Sequence, residues 1–409
     1  MSNLAGIEDI NAYCGSAFIR VRELFEARKL DLSRFDNLMM ENKSVSLPCE
    51  DVVTCAVNAA LPLIHSLGDA KDKIDMVITA TESGLDFGKS VSTYIHKYLE
   101  LHTHCRLFEV KQACYAGTAA LQMAMNYVWV NPGRKVLVIA SDEARVSARM
   151  SYAEPSQGVA SVAMLIGDNP RIFSADRGAN GLCGYEIMDT CRPTPDIETG
   201  DPDISLYSYI DCLEKSYQHY TEKVDNVDLL NSFSYLVFHT PFAGMVKGAH
   251  RKLLRTVKKL KPADIDTIFR QQVSPSLMYC QQVGNVYSAS TYLALCGLID
   301  HAEIQQPVRI GIFSYGSGCS SEFFSGIVLP EARQILKGKH IQQHLDERVK
   351  LDIAAYDHVL NENEKNHFGI KDYQFETAGY QDLYNRAFSG KGLLVLDKVD
   401  NYHRIYKWS

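Results

Sequence analysis

Short apolar, β-branched segments recur along this 409-residue chain and alternate with segments of helical periodicity. The apolar segments are 76–79, 136–140, 159–166, 235–238 and 309–313, and the helical patterns include 50–67 and 289–298. Strands that are apolar throughout and are separated by amphipathic helices are typical of βα units with buried, mainly parallel strands. The sequence therefore predicts an α/β fold.

The two halves of the chain share a pattern. Segments 136–142 and 310–318 are each an apolar strand that ends in small or polar residues. The stretch 194–203 is rich in Pro, Asp and Gly, which predicts a surface loop between the halves. We expect residues 1–170 and 171–409 to form two halves of one compact unit, closed by a C-terminal hairpin from 392–397 and 403–408.

Composition excludes several classes of protein. A net charge of −7 argues against a general nucleic-acid binder. The sequence has no run of 18 apolar residues, so no membrane span is predicted. The first residues have neither a basic start nor an apolar run, so we expect no signal peptide. With no export signal, the eleven cysteines are expected to be reduced thiols in the cytoplasm. They lack CxxC metal spacing, so no metal site is predicted.

Cys114 lies where a predicted strand, 107–111, passes into a helix of small residues, 116–129. Unpaired backbone N–H groups and the helix dipole favour an anion at such a position. The thiol is therefore expected to be biased toward thiolate and toward attack on an acyl group. The alternative interpretation is a buried cysteine that packs as a small hydrophobic residue.

Four other positions are candidates for chemistry. Glu82 follows a buried strand and could be a general base with a raised pKa, or a first-turn carboxylate favoured by the helix dipole. His239 ends an apolar strand, where ligands of open α/β sheets gather, or is a hydrogen-bonded core histidine. The 314–318 turn, Ser-Tyr-Gly-Ser-Gly, could supply oxyanion-hole N–H groups or only a turn. Asn285 could orient a carbonyl or cap a helix.

The order of these features along the chain is specific. Glu82, Cys114, His239-Thr240-Pro241-Phe242, Gly284-Asn285 and the 314–318 turn resemble the 3-hydroxy-3-methylglutaryl-CoA synthase family of the thiolase superfamily. The resemblance covers nearly the whole chain and includes 156–167 and 188–189. Segments 105–114, 189–193 and 239–251 are similar to the subgroup that installs β-branches in polyketide assembly lines.

The resemblance implies a thiolase-like five-layer αβαβα fold with two pseudo-repeated halves, and a homodimer. It implies that Cys114 accepts an acetyl group, that Glu82 enolises it, and that His239 polarises the β-ketone of the acceptor. The implied substrate-binding residues are Asn285, Ser317, Tyr287, Gly316, Asp189 and Asp142. The donor would be an acetyl-acyl carrier protein and the acceptor a β-ketoacyl carrier protein, with no cofactor beyond the phosphopantetheine that carries each acyl group.

Two departures from the family matter. Gly244 stands five residues after His239, where the CoA-using enzymes have a lysine, and this puts the usual CoA phosphate contact in doubt. The segment between Asp142 and Tyr152 is shorter than in the family. The alternative function is the mevalonate-pathway synthase that uses acetyl-CoA and acetoacetyl-CoA; a ketosynthase, a thiolase and an inactive carrier scaffold fit the Glu82–Cys114–His239 set less well.

A basic stripe follows the strand-end histidine. Lys247, Arg251 and Arg255 recur every four residues, His250 borders them, and Lys258 and Lys259 continue the same side. Beside an active site, such a stripe could bind a phosphopantetheine phosphate and an acidic carrier protein. The alternative is a solvated helix face. We expect Lys247, His250 and Arg251 to contact the carrier.

Overall fold

The computed structural model describes residues 4–144, 149–151, 153–195, 197–258, 260–366 and 368–409. The strands are β1 Gly6–Tyr13, β2 Ala17–Arg20, β3 Asn42–Val45, β4 Ile74–Ala80, β5 Arg106–Val110, β6 Lys135–Glu143, β7 Val159–Gly167, β8 Phe173–Gly184, β9 Thr190–Thr194, β10 Ile197–Gly200, β11 Tyr235–Phe238, β12 Val308–Gly316, β13 Ser320–Val328, β14 Val349–Lys350, β15 Tyr373–Gln374, β16 Leu394–Asp400 and β17 His403–Trp408. The α-helices are α1 Val21–Arg28, α2 Phe35–Leu38, α3 Val52–Leu67, α4 Ser92–Tyr98, α5 Ala116–Val130, α6 Pro202–Lys223, α7 Ala243–Val257, α8 Pro262–Gln272, α9 Ser274–Leu277, α10 Cys280–Val283, α11 Ser290–His301, α12 Glu331–Lys337, α13 Ile341–Glu347, α14 Ile353–Asn363 and α15 Gln381–Ala387.

The main sheet contains the same strand arrangement twice. Its order is β11-β12-β13-β8-β1-β7-β6-β4-β5. On one side β1 and β7 are antiparallel, β7 and β6 antiparallel, and β6 and β4 parallel. On the other side β8 and β13, β13 and β12, and β12 and β11 repeat these directions in the same order. The repeated topology explains the similar sequence patterns of the two halves.

The two copies meet at a narrow seam. Only two residue pairs, Gly6–Ser174 and Ile7–Phe173, join β1 to β8. A Cβ atom at residue 6 would lie 2.0 Å from the carbonyl oxygen of Phe173, so the seam requires glycine there. The expectation of mainly parallel strands was wrong for β7 and β13, which pair antiparallel on both sides. These strands read as apolar because helices cover both faces of a sheet in this fold, whatever the strand direction.

The layers are those of the expected five-layer αβαβα fold. Buried residues of α5 and α11 share one apolar cluster with residues of β1, β6, β7 and β12, and so form the middle layer. Helices α3 and α4 pack on the outer face of one copy of the sheet. Helices α6, α7 and α8 pack on the outer face of the other copy.

Helix α3 is a core helix. With the turn that follows it, the segment Val52–Lys73 is long and apolar enough to span a membrane by composition alone. However, 61% of its most apolar window is buried inside the protein, because the sheet covers one side and the C-terminal hairpin another. This burial is typical of a helix in the interior of a folded domain.

Two expectations about connecting segments had different outcomes. The predicted C-terminal hairpin is confirmed as β16 and β17, and its buried residues Leu394, Leu396 and Tyr406 pack against α3. The predicted surface loop 194–203 was wrong, because β9 and β10 form a hairpin there and α6 begins at Pro202. The division of the chain into 1–170 and 171–409 stays a prediction, and the last segment packs on the first half.

Candidate active site

Half of the predicted site residues meet at one cavity of about 1130 Å³. Glu82 follows β4, Cys114 follows β5, His239 follows β11, and Ser317 follows β12. Each therefore lies just beyond the carboxyl end of a strand, where open α/β sheets bind ligands. All four line the cavity, together with Asn285 and Tyr287.

Cys114 is held in a tight elbow between strand and helix. Ala113 has a φ of 43°, and α5 begins two residues after Cys114, whose exposed fraction is 9%. The turn after β12 packs directly on this elbow. A Cβ atom at Gly316 would lie 2.6 Å from both the Gln112 carbonyl oxygen and the Tyr115 nitrogen, so glycine permits the close approach. Gly316 itself does not line the cavity, whereas Ser317 does.

The Cys114 thiol is paired with a carboxylate. Its Sγ lies 3.6 Å from Glu82 Oε1 and donates to it. Burial raises the pKa of Cys114 well above its ordinary value, and the carboxylates of Glu82 and Asp142 raise it further. The expected bias toward thiolate was therefore wrong for the resting site, because burial and two nearby carboxylates outweigh the helix N-terminus.

Glu82 has the properties of a base that works near neutral pH. Burial raises its pKa to about 7, with a partly opposing effect from the Arg192 guanidinium. The Glu82 backbone N–H donates to Asp142 Oδ1 at 2.8 Å, which fixes the chain at this point. The alternative of a first-turn helix carboxylate was wrong, since no helix begins at residue 82.

Asp142 and Asp189 were expected to bind substrate, but neither lines the cavity. Asp142 is 1% exposed and accepts hydrogen bonds from Thr81 Oγ1 at 2.9 Å and from the Ser288 N–H at 3.1 Å. Asp189 is fully buried and accepts from the Tyr315 hydroxyl at 2.6 Å and the Gly318 N–H at 2.8 Å. They position the segments that carry Glu82 and Ser317. The expectation that Asp142 and Asp189 contact the substrate was therefore wrong, because both side chains bond to the protein itself.

His239 is a neutral, almost fully buried imidazole. Burial lowers its pKa to about 3, so it holds no second proton near neutral pH. Its backbone is fixed, because its N–H donates to the Phe313 carbonyl at 2.7 Å and its carbonyl accepts from the Tyr209 hydroxyl at 2.7 Å. Within the described part of the chain, Nδ1 has no hydrogen-bond partner. The ring can donate an N–H to a ligand but is a weak proton acid.

Asn285 fits both of its proposed roles at once. Its Oδ1 accepts from the Tyr287 N–H and the Ser290 hydroxyl, each at 3.0 Å, as a residue that caps a helical turn would. This arrangement fixes the amide plane while the residue lines the cavity. Its NH₂ group can then donate to a carbonyl oxygen and orient it.

A second charged pair beside Glu82 was not assigned a role from sequence. Arg192 Nη1 donates to the Glu82 carbonyl oxygen at 3.1 Å, and Nη2 donates to Glu198 at 2.9 Å. The Arg192 guanidinium also lies 5.2 Å from the ring centroid of Tyr287. The sequence around this pair, the stretch 194–203, is rich in Pro, Asp and Gly. Such a stretch indicates a turn but not the strands on either side of it.

The predicted carrier contacts do not reach this cavity. His250 is fully buried between Phe238 and Phe269, which lowers its pKa to about 4, so it is a core histidine. Lys247 and Arg251 both lie 3.7 Å from Asp266 of α8 and are absent from the cavity lining. Lys259 lies outside the described residues. Three exposed cations line the cavity: Arg34, Lys89 and Lys111.

Among the residues that the structure describes, no group of three or more His, Cys, Asp or Glu side chains has the geometry of a metal site. The cavity instead combines a thiol, a carboxyl group of raised pKa, a neutral imidazole and an oriented amide. Such a set can carry an acyl group on sulfur, remove a proton next to the acyl carbonyl and polarise a second carbonyl.

The chain matches known families along almost its whole length. Residues 2–171 match the model for the hydroxymethylglutaryl-coenzyme A synthase N terminal, and residues 195–266 and 255–408 match that for its C terminal. The chain is 48% identical over 416 residues to the polyketide biosynthesis 3-hydroxy-3-methylglutaryl-ACP synthase PksG of Bacillus subtilis (strain 168), covering 99% of each chain.

Two other relatives are similar to this chain along most of their length. The curacin biosynthetic pathway HMG synthase, solved in complex with acetyl donor-ACP, is 49% identical with a TM-score of 0.96, covering 99% of this chain and 100% of that chain. The hydroxymethylglutaryl-CoA synthase of Enterococcus faecalis is 34% identical over 361 residues, covering 87% of this chain and 91% of the relative.

Proposed function

Because this chain belongs to the hydroxymethylglutaryl-CoA synthase family and is a 3-hydroxy-3-methylglutaryl synthase of polyketide β-branching, we propose that Cys114, Glu82 and His239 carry its reaction. The observation that carries this assignment is the hydrogen bond from the Cys114 thiol to Glu82 in a cavity that His239 also lines. The reaction joins an acetyl group to the β-ketone of a carrier-bound acyl chain and then hydrolyses the enzyme thioester.

The acetyl group is first transferred to sulfur. Glu82 takes the thiol proton as Cys114 attacks the acetyl thioester, a bond forms between sulfur and the acetyl carbon, and the carrier thiol leaves with a proton. The backbone N–H groups of Cys114 and Ser317 hold the oxyanion, and one such donor is worth about 3–4 kcal/mol in other enzymes. A thiol of high pKa suits this order, since it becomes nucleophilic only when Glu82 removes its proton.

Condensation then uses the same carboxylate. Glu82 removes a proton from the acetyl methyl group, and the resulting carbanion equivalent attacks the acceptor ketone. The neutral His239 N–H and the Asn285 amide polarise that ketone and stabilise the alkoxide. The proton that Glu82 took from the methyl group passes by way of water to the alkoxide, which leaves Glu82 ionised again. Water finally cleaves the Cys114 thioester, which leaves a free carboxylate on the branched product.

We propose acyl carrier proteins, and not CoA, as the carriers of both donor and acceptor. The packing around Gly244 supports this: a Cβ atom there would lie 1.7 Å from the Asn37 carbonyl oxygen. The backbone of α2 thus occupies the space that a lysine side chain would need at the start of α7. No cofactor is needed in this scheme, because phosphopantetheine brings each acyl group to the cavity.

We also propose a homodimer that works in the cytoplasm. Strand β5 is the last strand of the main sheet in the described residues, and its open edge can pair with a second copy. Met123 and Val130 of the adjacent α5 are 47% and 79% exposed, as expected of a surface that a partner covers. All eleven cysteines are free thiols, in keeping with a reducing compartment.

Mass spectrometry of the intact protein tests the donor. We expect rapid acetylation by acetyl-carrier protein, located on Cys114 by peptide mapping, and slow acetylation by acetyl-CoA. The Cys114→Ala variant should take up no acetyl group from either donor. Equal acetylation by acetyl-CoA would favour the mevalonate-pathway function, and acetylation at another residue would contradict the assigned nucleophile.

A further inference from the structure

The β9–β10 hairpin brings a charged pair against the proposed base. Arg192 is on β9, Glu198 is on β10, and Arg192 Nη2 lies 2.9 Å from Glu198 Oε2 and 4.0 Å from Glu82 Oε2. The side chains of Glu82, Arg192 and Glu198 are 18%, 10% and 16% exposed, so solvent screens these charges only weakly. One guanidinium is therefore shared by two carboxylates.

The pair is anchored to Gln157, which also lines the cavity. Gln157 Nε2 donates to Glu198 Oε1 at 2.6 Å. The backbone next to Gln157 bonds to Asn285 in both directions, from the Asn285 N–H to the Ser156 carbonyl at 2.6 Å and from the Gly158 N–H to the Asn285 carbonyl at 2.8 Å. A continuous set of contacts thus runs from the enolising carboxylate to the amide on the ketone side.

We propose that Arg192 and Glu198 are positioning residues that act as a unit on Glu82, with Arg192 holding its carboxylate and Glu198 limiting how much of the Arg192 charge it receives. This inference rests on the proposed role of Glu82. It assigns a role in the reaction to the β9–β10 hairpin, a segment that contributes neither the nucleophile nor the ketone-binding groups.

The charges around Glu82 explain why both members are needed. Arg192 lowers the pKa of Glu82, whereas Asp142 and Glu198 raise it, and the Cys114 hydrogen bond lowers it slightly. Without Arg192, Glu82 would stay protonated near neutral pH and could not accept a proton. Without Glu198, the whole guanidinium charge would act on Glu82 and would make it a weaker base.

Deuterium uptake measures the base directly. The protein is acetylated on Cys114 by acetyl-carrier protein in D₂O across a pH range, and uptake into the acetyl methyl group is followed by mass spectrometry. Glu198→Gln should move the acidic midpoint of uptake to lower pH, and Arg192→Gln to higher pH, each by about one unit or more. The circular dichroism spectrum and the thermal unfolding midpoint of each variant report whether it has folded.

Two further variants keep the result decisive. Arg192→Lys retains the charge but not the two-pronged geometry, so we expect a near-native midpoint and an uptake rate about 10–100-fold lower. The double variant Arg192→Gln/Glu198→Gln should have a midpoint between those of the single variants. Midpoints that match the native protein, or that shift in one direction in both single variants, would overturn the inference and leave the proposed function intact. An acetylated native protein without uptake would overturn both.

Discussion

At the scale of single residues, the site is built from groups whose burial is costly. Glu82 is enclosed beside a thiol and a second carboxylate, so its charged form is less stable than in water. The free energy lost in this way is what makes the carboxylate a proton acceptor near neutral pH. The ionised Glu82 therefore serves the proposed reaction but destabilises the folded protein.

Removing that charge should stabilise the protein. The pKa of Glu82 is about 7 in the fold against an ordinary value of 4.5, so its ionisation above pH 7 costs about 3 kcal/mol of folding free energy. The penalty is absent below the unfolded pKa, grows as the pH rises between the two pKa values and is complete above the folded one. We therefore expect Glu82→Gln to raise the free energy of unfolding at pH 8 but not at pH 4.5, while turnover is lost.

Urea unfolding at the two pH values checks this expectation, with Glu303→Gln as a control at a surface carboxylate. A Glu82→Gln variant that is equally stable at pH 8, or less stable than the native protein, would contradict the raised pKa.

The residues that we propose as catalytic could be selected from sequence, but their supports could not. Glu82, Cys114 and His239 each follow an apolar strand, and the carboxyl ends of such strands meet at one edge of a sheet. Asp142 and Asp189 also follow apolar or family-matched segments, yet their side chains turn inward to bond backbone N–H groups. Side-chain direction at a strand end depends on tertiary contacts, which a local pattern does not encode.

At the scale of elements, α2 leaves no room for a side chain at Gly244 in the first turn of α7. The backbone of Asn37 in α2 occupies the place of a Cβ atom at Gly244, whereas nothing lies within 4 Å of one at Gly248, one turn later. Gly244→Lys should therefore destabilise the protein by about 1–3 kcal/mol or more, as overpacking does, without faster acetylation by acetyl-CoA.

Gly248→Lys is the matched control in the same helix. It should be neutral or slightly stabilising, because lysine favours a helix more than glycine does. Thermal unfolding and the rate of acetylation by acetyl-CoA measure both effects. A stable Gly244→Lys variant that accepts acetyl-CoA readily would show that one residue controls carrier choice.

The β9–β10 hairpin marks where prediction of elements stopped. It contains Pro193, Pro195 and Gly200, and such turn formers indicate a change of chain direction but not the short strands beside it. The C-terminal hairpin was predictable because its two segments are longer and have several apolar, β-branched residues. Arg192 could therefore be matched to a family segment, but its contact with Glu82 required the tertiary fold.

At the scale of the whole molecule, we predict that an approaching carrier meets the exposed cations of the cavity and not those of α7. Arg34 is exposed and lines the cavity, whereas Arg251 pairs with Asp266 and does not line it. We expect Arg34→Glu to lower kcat/KM for acetyl transfer from the carrier by about tenfold at low salt, because an acidic carrier would meet a like charge.

Arg251→Glu is the matched charge reversal and should change this rate by less than about twofold. High salt should reduce the effect of Arg34→Glu, since it screens exposed charges. Stopped-flow measurement of acetyl transfer at two ionic strengths checks both. Equal losses in the two variants would restore the basic stripe of α7 as the carrier surface.

The five-layer architecture followed from the family resemblance, and the alternation of apolar strands and helices indicated only its α/β class. Pattern alone gave the wrong direction for the strands at the centre of each half, because burial on both faces does not distinguish parallel from antiparallel pairing. The repeated strand order and the seam at Gly6 emerge only when the two halves are packed together.

The covering of α3 by the C-terminal hairpin has a consequence for biosynthesis. Arg404 bonds to Asp51, the residue that caps α3, across 353 positions of the chain. A ribosome therefore makes the helix long before the strands that shield its outer surface. Until then the apolar side chains of α3 that the hairpin will cover are exposed on the nascent chain. We expect chaperones to bind it most during this interval.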